Sequence, residues 1–444
     1  MSSLRTLRFV HCADLHLDSP FEGLAALDPE IAEVLRASTF GAFDNILQLA
    51  IDEEADFLLI AGDVYDSAES SLAAQLQFRQ GLERVASRGI RCFVAHGNHD
   101  PLSAWDAGLE PPPGVHRFGG DRIERVLVRR DGEDLAVVYG ISYRQREVRE
   151  NLVERFHSAT GSPFSIGLLH CAVGGDGDSP YSPCRLSDLT SSRIGYWALG
   201  HSHRPAVLAQ GSPTVVYSGT PQGRSRREIG ERGCFLVDVE IDGEGNHSIT
   251  PRFIATDQVR WADDRVDISS CGHLDDLLAT LSQSLEETRR AARRPDDVPR
   301  PAILRLAVTG RGPLHRQLQH VDPERDLAAP LRRQEKTRED FVWVEAVVVD
   351  TAPEVDLPRL RTEESSVGAF LRAVDALRRA DEGAPDADGT AARAIRERLA
   401  QRPEHPRLAA VLAELSDAEL LAVLPEAEAA GLDYLLSPDS LTPE

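Results

Sequence analysis

The stretch "RCFVAHGNHDP", from Arg91 to Pro101, begins as a predicted β-strand and ends in a polar turn. Its apolar part, Cys92–Ala95, leads directly into five turn residues, which are His96, Gly97, Asn98, His99 and Asp100. In layered α/β domains, ligands bind in the crevice outside the carboxyl ends of the strands. We therefore expect this turn to hold a ligand or to carry out chemistry.

Four other apolar runs end in the same way. They are "CADLH" with Asp14 and His16, "AGDVYD" with Asp63 and Asp66, "LLHC" with His170, and "LGHSH" with His201 and His203. The carboxyl ends of parallel strands meet at one crevice, so these side chains can converge although they lie far apart in sequence. A single histidine of this kind would be an ordinary structural residue. Five strand ends that each deliver Asp, Asn or His indicate a common site.

The residue types in this set indicate a transition-metal centre. Carboxylate and amide oxygens suit hard divalent ions, whereas imidazole suits Mn, Fe, Zn and Co. The set is too large for one ion, and Asp63 is the natural carboxylate to bridge two ions about 3.5–4 Å apart. Such a pair lowers the pKa of a trapped water and clamps the oxygens of a displacement at phosphorus. The sequence thus predicts hydrolysis of phosphate esters.

Composition limits the class of protein. The 444 residues predict two or three domains, and 41% hydrophobic residues suffice for real cores. The six cysteines form no CxxC pair, so we interpret them as buried apolar residues in a reducing compartment. No signal peptide and no apolar run of about 18 residues is found, which predicts a soluble cytoplasmic protein without membrane contact. A net charge of −23 argues against a general nucleic-acid coat but not against a local groove.

The order of predicted elements indicates the domains. Strands and helices alternate through the first 100 residues as β-α-β-α-β, and strand-like runs dominate from there to residue 257. We predict an α/β fold, a layered sandwich over residues 1–257, followed by a small α+β capping domain over 258–351. A linker over 352–366 then leads to an acidic helical tail over 367–444, which we interpret as a partner-binding region.

The motifs resemble those of a known superfamily. The ordered set D-x-H, G-D-x-x-D, G-N-H-D, H and G-H-x-H resembles the calcineurin-like metallophosphoesterases. Within it, "HCADLHLDSP", "AGDVYD", "HGNHDP" and "GHSH" look like the SbcD-like DNA repair exonucleases, which are nuclease subunits of double-strand-break repair complexes. The segments "SPYSPCRLSDL" (179–189) and "PQGRSRREIGERGCFLVDV" (221–239) also resemble one branch of that family. The motif resemblance covers about residues 7–240, and the rest resembles the family only in organisation.

The resemblance implies a role for each motif residue. Asp14, His16 and His203 would hold the first metal, Asp63 would bridge, and Asn98, His170 and His201 would hold the second. His99 matches the catalytic histidine that protonates the leaving oxygen, and Asp100 matches a residue that orients His99 through a hydrogen bond. Where some relatives have a second histidine, this chain has Asp66. The role of Asp66, and the identity of any second proton-handling group, stay open.

Substrate contacts are predicted from two further segments. "GRSRRE" places Arg224, Arg226 and Arg227 in a Gly- and Arg-rich loop that could hold phosphate bidentately, although a solvated loop is the alternative. Tyr181 and Arg185 could line the mouth of the site, with Tyr181 stacking on a base.

The resemblance implies a Mn²⁺-dependent DNA nuclease, with Fe, Zn and Co as alternative metals. It would act as a 3′→5′ exonuclease and single-strand endonuclease with an SMC-like (SbcC-like) ATPase, and a homodimer is a further family expectation. This chain has no Gly-x-x-x-x-Gly-Lys phosphate loop, so any ATPase must be another protein. The main alternative is a phosphodiesterase or phosphatase for a small nucleotide-type substrate, which would have little use for a capping domain and tail. A scaffold with an inactive site is a third interpretation, which the intact ligand set opposes.

Overall fold

The computed structural model describes residues 5–19, 28–66, 71–104, 109–157, 163–174, 179–242, 245–294, 297–382 and 422–436. Residues 383–421 and 437–444 of the predicted helical tail lie outside this part of the chain. Among the described residues, no helix combines the length and the apolar character that a membrane span requires.

The strands are, in chain order, β1 (Arg5–Cys12), β2 (Phe57–Ala61), β3 (Arg91–Ala95), β4 (Val115–Arg117), β5 (Glu124–Arg130), β6 (Glu133–Gly140), β7 (Phe164–His170), β8 (Tyr196–Gly200), β9 (Ala206–Ala209), β10 (Thr214–Tyr217), β11 (Gly233–Ile241), β12 (His247–Ala255), β13 (Arg260–Asp267), β14 (Ala302–Gly312) and β15 (Val342–Pro353). The α-helices are α1 (Pro29–Asp52), α2 (Leu72–Ala86), α3 (Leu186–Thr190), α4 (Leu274–Ala292), α5 (His315–Leu318), α6 (Ala329–Glu335), α7 (Leu357–Thr362), α8 (Ser366–Glu382) and α9 (Leu424–Leu436).

Two six-stranded sheets, formed by β1 to β12, make up the first part of the described chain. One has the order β12-β11-β1-β2-β3-β4 and the other β5-β6-β7-β8-β10-β9. Aromatic and aliphatic side chains fill the space between them, among them Phe9, Phe57 and Phe93 of the first sheet and Ile166 and Tyr196 of the second. The predicted layered α/β sandwich is confirmed.

Helices α1 and α2 cover the outer face of the first sheet. Leu58 and Ile60 of β2 pack there with Phe43 of α1 and Phe78 of α2. The strand "FLLIA" is therefore buried on both faces, which explains why it is continuously apolar and does not alternate. Helix α1 starts at an N-cap, since the Asp28 side chain accepts hydrogen bonds from two backbone N–H groups of the first turn.

The parallel strands direct their carboxyl ends to one edge. In the first sheet β1, β2 and β3 are parallel, and Cys12 is paired with Ile60. In the second sheet β7 and β8 are parallel, and His170 is paired with Gly200. Because each motif follows such a strand end, the fold brings the motifs together as the sequence pattern predicts.

The rest of the chain adds a third sheet, β13-β14-β15, and further helices. By packing, one compact unit comprises Met1–Val266, Leu278–Ala307 and Asp322–Val348, and the other comprises the remaining segments. In the first unit, Ile31 and Leu35 of α1 form a cluster with Trp261 and Trp343. In the second, Leu371 of α8 packs with Leu432 of α9. The predicted domain boundaries stay predictions.

Candidate metal centre

The first group of ligands lies beside the end of β1. One ligand atom from each of Asp14, His16 and His203 lies within 4.8 Å of the other two. The Nε2 atoms of His16 and His203 are 3.1 Å apart, so the two imidazoles point at one place. Asp14 and His16 are fully buried. The structure thus brings together the three residues predicted for the first metal.

A second group lies next to it. Asp14, Asp63 and His170 also have ligand atoms within 4.8 Å of one another. The Nε2 atom of His170 is 3.4 Å from Asp63 Oδ2 and 3.0 Å from Asn98 Oδ1. The His201 ring lies 5.3 Å from that of His170, centroid to centroid. The sequence predicted only Asp63 as a shared carboxylate, whereas the structure places Asp14 in both groups.

Several of these residues have a strained backbone. Asp14, His16, Asp63 and His201 have φ values of 52°, 45°, 49° and 103°. Non-glycine residues rarely adopt positive φ, and each such residue costs about 1–3 kcal/mol unless the surroundings enforce it. Strain in four predicted ligands at one place is a property of functional sites rather than of ordinary turns.

Two glycines permit the close approach of the ligands. A Cβ atom at Gly62 would lie 2.3 Å from Nδ1 of His170, and one at Gly97 would lie 2.2 Å from Oδ1 of Asp63. Gly62 also has φ of +93°, which glycine adopts without strain. These positions of the two motifs therefore need glycine.

Hydrogen-bond acceptors orient two of the imidazoles, and a carboxylate lies against a third. The carbonyl oxygen of Ala61 accepts from Nδ1 of His170 at 3.0 Å, whereas Asp66 Oδ1 lies 3.0 Å from Nδ1 of His16 as an ion-pair partner. Glu228 Oε1 accepts from Nδ1 of His203 at 2.6 Å. An acceptor at Nδ1 leaves Nε2 for the metal and makes the ring a better ligand.

Burial keeps three imidazoles in the neutral form that binds metal. It lowers the pKa of His16 and of His170, and it lowers the pKa of His201 to about 3. Burial has the opposite effect on the carboxyl groups, because it raises the pKa of Asp14 to about 6 and also raises the pKa of Asp63. Buried carboxylates this close together are unfavourable unless a cation compensates them, so the residues present fit two divalent ions.

Glu228 is a functional residue that the sequence analysis missed. It is buried, and although burial acts against ionisation, the hydrogen bond from His203 and the charge of Arg224 lower the pKa of Glu228 to about 2. It ends the motif "GRSRRE", in which only the arginines were considered. The residue that Glu228 supports is 25 positions away, so no local spacing links the two, and only a search for acids in motif loops could have suggested it.

Asp66 and Arg224 support the site together. Arg224 Nη1 donates to Asp66 Oδ1 at 3.0 Å and to the hydroxyl of Ser19 at 2.8 Å. The contact with His16, ahead of that with Arg224, lowers the pKa of Asp66. The Arg224 backbone N–H donates to Glu228 Oε2 at 2.7 Å. Arg224 therefore uses a donor for the ion pair with Asp66, the carboxylate next to His16, that the predicted phosphate contact would need.

The predicted hydrogen bond between Asp100 and His99 is wrong. Asp100 is completely buried, and its carboxylate accepts from the backbone N–H groups of Val64 and Gly97 and from Nδ1 of His96, each at 2.9 Å. Nδ1 of His99 donates instead to the carbonyl oxygen of Asp66 at 2.9 Å. Asp100 therefore fixes the two turns that carry Asp63 and Asn98, and the backbone of Asp66 orients His99.

The remaining predicted residues lie around the site or outside it. His99 is partly exposed, with 32% of its side chain accessible, so it can reach a substrate. The Tyr181 ring lies 5.1 Å from that of His201, centroid to centroid. Arg185, at the start of α3, and Arg226 and Arg227 are exposed.

Comparison with known proteins identifies the class. Residues 7–205 match the calcineurin-like phosphoesterase family, and residues 261–352 match the middle domain of metallophosphoesterase YhaO. The chain belongs to the calcineurin-like metallophosphoesterases and is a metal-dependent hydrolase that acts on phosphoester bonds. It is similar to the uncharacterized metallophosphoesterase YhaO of Bacillus subtilis, with 35% identity over 361 residues that cover 80% of this chain and 85% of that protein. The predicted superfamily and enzyme class are confirmed.

Two nuclease-related proteins are more distant relatives. The SbcD component of the nuclease SbcCD of Bacillus subtilis is 28% identical over 273 residues, covering 53% of this chain and 66% of that protein. The DNA double-strand break repair protein Mre11 of Thermoplasma acidophilum is 27% identical over 218 residues, covering 46% of this chain and 57% of that protein. Members of the calcineurin-like family use a dinuclear metal centre, which agrees with the two adjoining ligand groups.

The carboxyl groups predict how metal binding depends on pH. Because the pKa of Asp14 is raised in the folded protein, protonation of this carboxyl stabilises the metal-free fold. This stabilisation is complete below the pKa of the unfolded state, about 3.9, and is lost as the pH rises through the folded-state pKa of about 6. We therefore expect the increase in melting temperature caused by Mn²⁺, relative to a chelator, to grow from about pH 5 to pH 7. Asp14→Asn should flatten this profile and Asp121→Asn, at an exposed position, should not; a wild-type gain that shrinks over this range would contradict the assignment.

Glu228→Gln should weaken metal binding without unfolding the protein. The amide keeps the volume of the carboxylate but loses the charge that polarises His203, and loss of such a partner lowers metal affinity roughly 10–100-fold. Titration with Mn²⁺, followed by the paramagnetic signal of the free ion, measures this effect. The control is Glu231→Gln, which removes an exposed carboxylate three positions away and should bind metal like the wild type. Equal affinities in the two variants would show that Glu228 does not support the metal centre.

Proposed function

We propose that the protein is a DNA nuclease that hydrolyses phosphodiester bonds, acting as a 3′→5′ exonuclease and a single-strand endonuclease. The observation that carries the proposal is the similarity to the SbcD component of nuclease SbcCD, which extends over 273 residues of a chain whose motif residues converge on one site. The similarity to Mre11 supports the same interpretation. The 35% identical relative has no assigned substrate, so the small-substrate alternative needs a direct test.

The metal ions of this proposal are two Mn²⁺, with Fe, Zn and Co as alternatives. Asp14, His16 and His203 would hold one ion, Asn98, His170 and His201 would hold the other, and Asp63 would bridge the two. When bound, such a pair activates a water molecule and screens the charge of the phosphate. The mixture of carboxylate, amide and imidazole donors supports ions of this intermediate character.

His99 is proposed as the acid that protonates the leaving oxygen. Because its Nδ1 donates to the Asp66 carbonyl, Nε2 is the atom that takes up and releases a proton. Its backbone N–H donates to Asp63 Oδ1 at 2.9 Å, which ties the position of His99 to the shared carboxylate. A partly exposed imidazole beside the buried Asp14, Asp63 and His170 is suited to general acid catalysis.

The substrate is proposed to contact the exposed side of this site. Arg226 and Arg227 have side chains available for phosphate, and Tyr181 and Arg185 lie on the segment next to His201. We assign Arg224 mainly to holding Asp66. Asp100 keeps a catalytic contribution only through the turns that it fixes, since it does not touch His99.

The remaining proposals concern organisation. The match of residues 261–352 to a middle domain supports a capping domain at 258–351. The helical region after residue 366 is proposed to bind an SMC-like ATPase, and α2, which exposes Leu72 and Leu76, is proposed to take part in a homodimer. The six buried free cysteines support a reducing compartment such as the cytoplasm.

Replacement of His99 by alanine tests the nuclease proposal. We expect wild-type protein with Mn²⁺ to degrade labelled single- and double-stranded DNA, and His99→Ala to lower the rate by about 10²–10⁴-fold while two metal ions stay bound. His157→Ala removes an exposed histidine outside the site and should retain full activity. The measurements are gel-based cleavage of DNA, hydrolysis of a chromogenic phosphodiester, and metal content by mass spectrometry.

Two results would contradict this account. Hydrolysis of the small ester without cleavage of DNA would favour the nucleotide-type alternative. Loss of bound metal in His99→Ala would mean that His99 is a ligand rather than an acid.

A further inference from the structure

An arginine-lined cleft lies outside the metal centre, within the region that matches the YhaO middle domain. Its cavity volume is about 670 Å³. Five arginines line it, which are Arg289, Arg290, Arg293, Arg294 and Arg338, together with the acids Glu286 and Asp297. The lining residues therefore carry a net charge of +3, on a chain whose net charge is −23. A local excess of arginine against such a background calls for an explanation.

Arg289 is buried in this cleft with unused hydrogen-bond donors. Only 3% of its side chain is exposed, and its Nη2 donates to both oxygens of Glu335 at 2.7 and 2.6 Å. Its Nε and Nη1 have no hydrogen-bond acceptor among the described residues, and Asp340 Oδ1 is 3.8 Å from Nε. Leaving a buried charged donor unsatisfied is unfavourable, so these N–H groups indicate a missing acceptor.

The neighbouring arginines have further donors for the same kind of acceptor. Arg293 pairs with Asp297 and Arg294 donates to Gln258, but the Nε atoms of both have no acceptor in the described part of the chain. The side chain of Arg290 is exposed. Three of the carboxylates nearby are already engaged, since Glu335 binds Arg289, Asp340 accepts from Arg338 at 3.1 Å and Asp297 pairs with Arg293. The exposed Arg290 and the partly exposed Arg293 are the arginines that an external anion can approach first.

A purely structural role explains only part of this arrangement. Arg289 and Arg290 lie in the last turn of α4, where positive charge interacts favourably with the helix dipole. That interaction needs neither Arg293 and Arg294 beyond the helix end nor the unused donors of the buried Arg289. Arginine presents a planar fork of donors that matches the oxygens of a phosphate group.

We propose that this cleft binds phosphate groups of a nucleic-acid backbone, as a second contact site for the DNA that the metal centre cleaves. The inference rests on the proposed nuclease function and extends it. It also answers how a chain of strongly negative charge can hold a polyanion, because a limited groove of arginines concentrates the required charge in one place.

The test measures DNA binding without catalysis. A fluorescently labelled single-stranded oligonucleotide is titrated with the full chain in the presence of a chelator, at several salt concentrations, and the anisotropy is recorded. In Arg290→Ala/Arg293→Ala we expect affinity to fall at least tenfold. The slope of log affinity against log salt should decrease by about 1.4, which corresponds to two lost phosphate contacts on single-stranded DNA.

Arg144→Ala/Arg149→Ala is the matched control. Both control arginines are exposed and each pairs with a surface carboxylate, as Arg293 does. The control should bind DNA within twofold of the wild type. Hydrolysis of a chromogenic phosphodiester with Mn²⁺, which reports on the metal centre, shows that each variant is folded.

The other outcomes separate the two claims. Unchanged affinity in the cleft variant, or an equal loss in both variants, overturns the cleft proposal and leaves the nuclease function intact. Wild-type protein that cleaves DNA with Mn²⁺ but does not bind it in the chelator also overturns the cleft proposal. Wild-type protein that neither binds nor cleaves DNA overturns the nuclease function and the cleft together.

Discussion

The structure depends on placing two buried carboxylates, Asp14 and Asp63, side by side among imidazoles at the end of two parallel strands. Burial raises the pKa of both carboxyl groups, so the protein accepts an unfavourable arrangement that divalent cations relieve. The positive φ values of four predicted ligands and the glycines at 62 and 97 accompany this close approach. The two sheets beneath supply the rigidity that keeps the strained turns in place.

Two further carboxylates contact the imidazoles of the predicted metal centre from behind. Asp66 and Glu228 stand behind His16 and His203, and Arg224 lies between them through its side chain and its backbone. The segment after β10 therefore contacts two of the residues around the predicted metal centre, His203 and Asp66, although none of its own residues is a predicted ligand. Asp100 has a comparable role for the turns after β2 and β3, which it joins through backbone N–H groups.

The sequence predicts that these side chains come together, because their signal is local. An apolar run that ends in Asp, Asn or His needs no tertiary information to be recognised, and parallel strands place such ends at one edge. The hydrogen-bond partner of a side chain cannot be predicted in this way, because it depends on how the turn folds. Asp100 follows His99 directly, and yet its carboxylate accepts from Nδ1 of His96. The sequence also could not predict the role of Glu228 or the presence of Asp14 in two ligand groups, because both arise from contacts between distant segments.

The central proposal is that these residues hold two metal ions side by side, with Asp63 bridging them and Asp14, which belongs to both ligand groups, close to both. Anomalous X-ray scattering at the manganese edge, from crystals grown with Mn²⁺, tests it most directly. The expected result is two peaks about 3.5–4 Å apart, one beside His16 and His203 and the other beside Asn98 and His170. A single peak, or peaks away from these side chains, would contradict it.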